Sequence, residues 1–225
     1  IVEEVEEVSV NLPETFEFIA EDNYINTPDV RETVKYAINR GFDLHKLWML
    51  RPGVAHCNEF KRCLILPSYD KNGNLNYYTA RRIDASTSDG FKYKNEQVPK
   101  KSIIFNEINI DWNEPLTLVE GPLDLVKTND NSTCLLGSSL TEDMRLFQKI
   151  VKNKAKVNLA LDSDVYYKTL KIAKLLSEYD IEVDILDTRG HEDVGDMSKD
   201  EFNNLLNNTK QYKENDSLLS KIRSL

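Results

Sequence analysis

No run in this 225-residue sequence approaches the roughly 18–20 consecutive apolar residues needed to cross a bilayer. The longest, Cys63-Leu64-Ile65-Leu66 among them, have the length of a strand, so no membrane partner is expected. Cysteine is scarce too. Cys57, Cys63 and Cys134 are odd in number, widely spaced and without a C-x-x-C pair, which supports neither a disulfide framework nor a zinc ribbon and fits a reducing cytoplasm. With only 8 glycines and 7 prolines, against 40% hydrophobic and 30% charged residues, collagen-like, low-complexity and wholly disordered chains are excluded. The length suits one generous domain or two small ones. Position 1 lacks Met; Ile1 opens the run Ile1-Val2-Glu3-Glu4-Val5-Glu6-Glu7, too acidic for a secretory signal, and the sequence reads as a piece of something longer.

An overall excess of positive charge is also missing. The net charge of −9 argues at first sight against nucleic acid, whose phosphates call for Lys and Arg. The average conceals a segregation. Residues 1–22 hold eight acids and no base, the composition of a solvated tail or linker, whereas residues 61–105 hold nine bases against four acids. That basic segment is either a nucleic-acid surface or ordinary solvated charge.

The chain then falls into parts. Thr27 as N-cap, Pro28 in the first turn and Gly41 as stop predict a helix with the apolar stripe Val30, Val34, Ala37 and Ile38. A shorter helical pattern around Leu44, Leu47 and Trp48 is broken by Pro52-Gly53. Cys63–Tyr69 and Leu75–Ile83, joined through Asn72-Gly73, read as a β-hairpin, and Ser102–Phe105 as a further short strand. From Leu116 strands alternate with helices, which predicts a mostly parallel, doubly wound sheet.

Ligands of such sheets bind at the carboxyl ends of the strands, and three of those ends are acidic. The first is Val119-Glu120-Gly121-Pro122-Leu123-Asp124, the second Leu161-Asp162-Ser163-Asp164, the third Glu192-Asp193-Val194-Gly195-Asp196. Carboxylates crowded at one edge repel one another unless a divalent cation lies between them, and hard oxygen ligands suit Mg²⁺ or Mn²⁺. His56-Cys57 with Cys63 fits no common metal spacing. Trp48, Tyr77 and Tyr78 are read as packing residues rather than base-stacking ones.

The Glu-Gly-x-x-Asp turn, the later D-x-D and the acidic loop after the next strand resemble the Toprim domain of primases, topoisomerases and some nucleases. The flanks resemble the polymerase-core subdomain of DnaG-type primases: Arg62-Cys63-Leu64-Ile65-Leu66-Pro67, Asp70 to Asn74, Ala80-Arg81, Lys92-Tyr93-Lys94-Asn95, and Lys101 to Asn106. Leu136-Gly137-Ser138-Ser139-Leu140-Thr141 is similar to their Gly-Thr-hydrophobic turn. The Glu-Gly-Pro-x-Asp form of the first motif and Asp193 to Met197 look most like the short primases of T-even-type bacteriophages. The likeness covers residues 24–208 and departs from bacterial primases at Thr79-Ala80-Arg81 and Lys94.

This resemblance implies an α/β core: a 1–22 acidic linker, a basic α+β subdomain with antiparallel strands over 23–113, a Toprim catalytic domain over 114–208, and a tail over 209–225. It implies a DNA primase making short RNA primers from ribonucleoside triphosphates on single-stranded DNA, in the cytoplasm of a bacterial host if phage-encoded. Glu120, Asp162 and Asp164 would be catalytic metal ligands for Mg²⁺ or Mn²⁺, with Asp124, Asp193 and Asp196 as outer or shared ligands. Arg62, Arg81, Lys92, Lys94 and Lys101 would hold template or nucleotide. Zinc is expected only in an N-terminal module that this sequence lacks. Leu218, Leu219, Ile222 and Leu225 make the tail amphipathic, a candidate contact for a replicative helicase. A Toprim nuclease, or a catalytically lapsed helicase or nucleic-acid adaptor, are the alternatives that the same motifs leave open.

Overall fold

A computed structural model describes residues 10–84, 91–163, 166–191 and 193–213. The chain divides into two compact units, residues 1–99 and 100–225. The first is built on an antiparallel sheet in the order β1-β2-β3-β4-β5: β1 is Phe16–Phe18, β2 Gly53–Ala55, β3 Cys63–Tyr69, β4 Leu75–Arg82 and β5 Tyr93–Asn95. The central strand β3 is the most deeply buried, with Leu64, Ile65 and Leu66 inaccessible to solvent. Cys63 and Ile65 join Ala55, Phe60, Tyr78 and Ala80 in one apolar cluster, and helices α1 (Pro28–Arg40) and α2 (Leu44–Leu50) pack against the same strand. Each such aliphatic side chain contributes about 1.5–3 kcal/mol by leaving water.

Helix α1 begins and ends at its capping residues. Thr27 Oγ1 accepts the Val30 N–H at 3.3 Å, and Gly41 closes the helix with φ at 98°. Its inner stripe differs from the expected one: Val30, Thr33 and Ala37 are buried, whereas Ile38 is 59% exposed. Thr33 tolerates burial because its hydroxyl donates to the Asp29 carbonyl at 3.0 Å. The hairpin forms as read, with Gly73 at φ 85° and the Asp70 carboxylate accepting the Asn72 and Asn74 N–H groups.

Two expectations are corrected by this unit, while α2 ends at Leu50 just before Pro52-Gly53, as read; Gly53 then opens β2, where an added Cβ would lie 2.2 Å from the Phe16 ring and 2.5 Å from the Glu17 carbonyl oxygen. Close approach of β1, not a turn, requires glycine there. The acidic segment 1–22 is not all linker, since residues 16–18 are β1 itself. The last strand of the sheet is Tyr93–Asn95, paired with Thr79–Arg81, and Ser102–Phe105 forms none.

The second unit carries a sheet in the order β10-β9-β8-β6-β7, with β6 at Leu116–Val119, β7 at Ser132–Cys134, β8 at Val157–Leu159, β9 at Val183–Ile185 and β10 at Lys210–Gln211. The first four are mutually parallel; β10 runs antiparallel at the edge. Helices α3 (Arg145–Asn153), α4 (Tyr166–Ser177) and α5 (Lys199–Asn207) connect them, while β6 reaches β7 through a 3-10 helix, Pro122–Val126. Leu116, Leu118, Val157, Leu159, Phe147 and Ile150 anchor the core. Residues 100–113, read from sequence with the first subdomain, belong to this unit, because Ile104 lies in its core and Ile110 and Trp112 pack against it. The fold class is thus α/β, an antiparallel sheet followed by a mostly parallel one. Among the described residues no helix is long and apolar enough to cross a membrane. The amphipathic segment Leu218 to Leu225 lies outside those residues.

Candidate active site

From β6 the chain winds to β7 on one side, then returns to β8 and β9 on the other, so the winding reverses between β6 and β8. In open α/β sheets the crevice beyond the carboxyl ends at that reversal is the ligand site. Glu120 follows β6 and Asp162 lies just past the end of β8. Leu118 pairs with Leu159, and the Ala160 N–H donates to the Leu118 carbonyl at 2.9 Å, so both acids leave neighbouring strands at one edge. One oxygen of each, Glu120 Oε1 and Asp162 Oδ1, is shielded from solvent. Two hard carboxylates with buried oxygens fit Mg²⁺ or Mn²⁺ in kind. Among the described residues no group of three His, Cys, Asp or Glu side chains could hold a metal ion. Asp164 and Glu192 lie outside them.

The remaining acids hold the surrounding turns in shape. Asp124 Oδ2 accepts the Gly121 N–H at 2.9 Å, capping the 3-10 helix from inside its first turn. Gly121 is extended, with φ at −119°, so the turn does not need its left-handed freedom; an added Cβ would instead press to 3.3 Å from Asp124 Oδ2. Asp193 Oδ1 accepts the Asp196 N–H at 2.9 Å and starts the turn Val194–Asp196, which packs against Pro122–Val126. Ser163 Oγ donates to the His191 carbonyl at 3.2 Å, and Thr188 Oγ1 to that of Leu161 at 2.8 Å. The loops carrying all three acidic motifs therefore share the carboxyl edge of the sheet. Asp124 and Asp193 each commit one oxygen to the backbone.

The basic residues are less available than the charge count implied. Arg62 donates from Nε to Asp84 at 2.9 Å and from Nη1 to Asp29 at 3.2 Å. Hydrogen bonding from Lys61, then from Arg62, holds the Asp29 carboxyl below the usual range; at Asp84 burial pushes upward and is outweighed by Arg62 and Arg82. Lys94 pairs with Glu59 and lies 4.7 Å from the centre of the Phe60 ring, and Lys101 pairs with Asp143. Asp29, Glu59 and Asp143 all lie outside the basic segment, which is why its excess overstated the free charge. Lys92 is exposed. Arg81 is the exception: its guanidinium lies 4.7 Å over the Tyr93 ring, and Nε and Nη1 are buried with no hydrogen-bond partner among the described residues. Tyr77 and Tyr78 are buried packing residues, as read, whereas Trp48 is half exposed.

Structural comparison gives this arrangement its context. The Aquifex aeolicus primase structure, comprising zinc-binding and RNA polymerase domains, matches with a TM-score of 0.67 at 21% identity, over 86% of this chain and 61% of that one. The fold is that of a DnaG-type primase core. A DnaG primase catalytic domain bound to single-stranded DNA matches with a TM-score of 0.62 at 16% identity, over 83% of this chain and 74% of that one. The primase fragment of the bacteriophage T7 primase-helicase matches with a TM-score of 0.52 at 12% identity, over 76% and 72%. No family model and no curated protein matches in sequence. The chain spans less than two thirds of the Aquifex polypeptide.

On this DnaG-type fold two cations emerge that the sequence reading missed. Lys168, in the first turn of α4, donates to Ser138 Oγ at 2.6 Å, and Lys100 to the Leu136 carbonyl at 3.0 Å. Both hold the loop after β7, at the same carboxyl edge as the acids. Lys168 follows the D-x-D by one helical turn, and that spacing was the available signal. Arg189, in the loop after β9, is bound by Asp187, whose carboxyl its hydrogen bond draws down to about 2.

Proposed function

We propose that this chain is the nucleotidyl-transferring core of a DNA primase, joining ribonucleotides on a single-stranded DNA template. The observation that supports this reading best is the pair Glu120 and Asp162, side by side at the winding reversal of a sheet whose fold is that of primase cores. Glu120 and Asp162, completed by Asp164, would hold Mg²⁺ or Mn²⁺. The metal, when bound, neutralises triphosphate charge and that of the pyrophosphate leaving group. Asp124 and Asp193 keep the surrounding loops in place, so their part is positional before it is ligating, and Asp196 gives its backbone N–H to Asp193. Lys168 and Lys100 add positive charge for phosphate at that edge. In the first unit Arg81 and Lys92 would grip the template backbone, a contact that positions without reading sequence. Arg62, Lys94 and Lys101 would exchange their carboxylate partners for phosphate only at the cost of those ion pairs.

The motif forms Glu-Gly-Pro-x-Asp and Asp193 to Met197 favour a bacteriophage primase of T-even type, and the segment after residue 213 is the proposed contact for a replicative helicase. Zinc would belong to a separate module of the kind present in the Aquifex structure. The test bypasses initiation: a template with an annealed RNA primer is incubated with labelled ribonucleotides and Mg²⁺ or Mn²⁺. Primer lengthened on intact template is the expected result. Template shortened without extension would make the chain a Toprim nuclease, and an unaltered primer with both metals would contradict the proposal.

A further inference from the structure

Helix α4 buries Leu170, Ile172, Ala173 and Leu176 in the core of the second unit. Its first two residues stand outside that packing: Tyr166 is 47% exposed and Tyr167 58%. Large side chains exposed singly are ordinary on a protein surface, whereas two adjacent aromatic rings left in water call for a contact. Their place in the fold narrows what that contact is. Tyr166 follows Asp162 by four residues, so both rings stand at the carboxyl edge from which Glu120 and Asp162 emerge, the edge where open α/β sheets take their ligands.

The same helix is cationic in a chain whose net charge is −9: Tyr166–Ser177 contains Lys168, Lys171 and Lys174, all exposed, and no acid. Lys171 stands one helical turn beyond Tyr167 and carries its ammonium to 4.6 Å from the centre of that ring. Lys174 continues the stripe and is balanced by Glu178 at 3.6 Å. Lys168 donates to Ser138 Oγ, and neither it nor Lys171 pairs with a carboxylate among the described residues. Planar rings interleaved with cations, without acids among them, make the kind of surface on which unpaired bases stack. An apolar protein surface would instead have to strip water from the ammonium groups.

We propose that Tyr166 and Tyr167, with Lys168 and Lys171, form a stacking platform for the unpaired bases of a single-stranded DNA template. This rests on the reading of the chain as a nucleotidyl-transferring core, which brings a strand to this edge. The bases of a primer there are already paired and stacked within the hybrid; those of the template ahead of the growing end are unpaired and offer their faces. A base stacks on the face of Tyr167 that Lys171 does not cover, and the ammonium groups meet the adjoining phosphates. Because every base has a π-face, the platform holds any sequence. It adds contacts to bases where Arg81 and Lys92 offer contacts to phosphate alone.

The experiment titrates two labelled strands of equal length with the whole chain in metal-free buffer, from low salt upward, and follows fluorescence anisotropy. One strand is a thymidine oligonucleotide; the other is built of abasic sites, with the phosphates and no bases. Tyr166→Leu combined with Tyr167→Leu removes the rings and keeps good helix formers. It should weaken the thymidine strand about tenfold or more, and leave the abasic strand and the salt dependence unchanged. Tyr167→Phe, which keeps the ring, should bind as the parent does. Lys171→Gln should weaken both strands and flatten the slope of log affinity against log salt by about 0.7, one phosphate contact. If the double variant fails to fold, Tyr167→Leu serves alone, with a loss of about fivefold expected. A parent that binds neither strand would contradict the primase reading and the platform with it. A parent that binds and a double variant that binds equally well would leave the primase reading standing and overturn the platform alone, as tyrosines that meet a protein would do. An equal loss on both strands, or a loss in Tyr167→Phe as large as that in the double variant, would overturn it too.

Discussion

Replacing Arg81 with Met separates a binding residue from a structural one. In the free protein its Nε and Nη1 are buried without hydrogen-bond partners among the described residues, and its guanidinium lies over the Tyr93 ring at 4.7 Å. Unmade hydrogen bonds at buried donors cost about 1–3 kcal/mol each, whereas a partly exposed cation–π contact returns about 0.5–1 kcal/mol. Met keeps the length and apolar contact and removes the donors. Arg81→Met should therefore leave the unliganded protein as stable as before, or more stable by about 1–2 kcal/mol. A charge-assisted bond to a DNA phosphate is worth about 1.5–3 kcal/mol, so affinity for single-stranded DNA should fall by one to two powers of ten. The slope of log affinity against log salt should flatten by about 0.7, one phosphate contact on a single strand. Thermal unfolding and fluorescence anisotropy over a salt series measure the two effects. A variant that is destabilised by more than about 2 kcal/mol and binds DNA as the parent does would show that Arg81 is packing, and the reasoning from its unmade bonds would fail.

Other outcomes follow from the same geometry. Asp29 and Asp84 have carboxyl groups held below their ordinary range, so their ion pairs stabilise the fold fully above the unfolded value near pH 4 and lose that contribution as pH falls through the lower folded values; Asp84→Asn should lower the melting temperature at pH 7, and the gap to the parent should close as pH falls below about 4. Asp124→Ala removes the bond to the Gly121 N–H and should lower stability by about 1 kcal/mol in chemical denaturation, with a smaller loss of nucleotidyl transfer than Glu120→Gln. Gly53→Ala drives a methyl group into the Phe16 ring and the Glu17 carbonyl, and should cost about 1–3 kcal/mol; full stability in that variant would contradict the packing of β1 on β2.

What could be read in the sequence was what local chemistry decides. Thr27, Pro28 and Gly41 bound α1, and Asp70 and Gly73 make the hairpin turn, because capping and turn bonds lie within a few residues. The carboxyl-edge acids were legible because strand alternation predicts which residues end a strand. What was hidden depends on partners distant in the chain. Nothing near Arg62 announces that Asp29 will occupy it, nothing near Gly53 that Phe16 will press on it, and Lys94 finds Glu59 only when the sheet forms. Tyr93–Asn95 is a short edge strand with no apolar alternation, so it gave no period to detect, while Ile104 and Phe105 looked strand-like because they are buried beside the second unit's core.

The central claim is that Glu120 and Asp162 hold one divalent ion at the reversal between β6 and β8. A Mn²⁺ titration followed by the melting temperature of the parent, Glu120→Gln and Asp162→Asn tests it most directly. The parent should gain stability with the logarithm of Mn²⁺ above its dissociation constant, and each variant should lose most of that gain. In metal-free buffer the variants should melt at the parent's temperature or slightly above, since an amide removes repulsion between neighbouring carboxylates. A Glu120→Gln protein whose melting temperature rises with Mn²⁺ as steeply as the parent's would contradict the site.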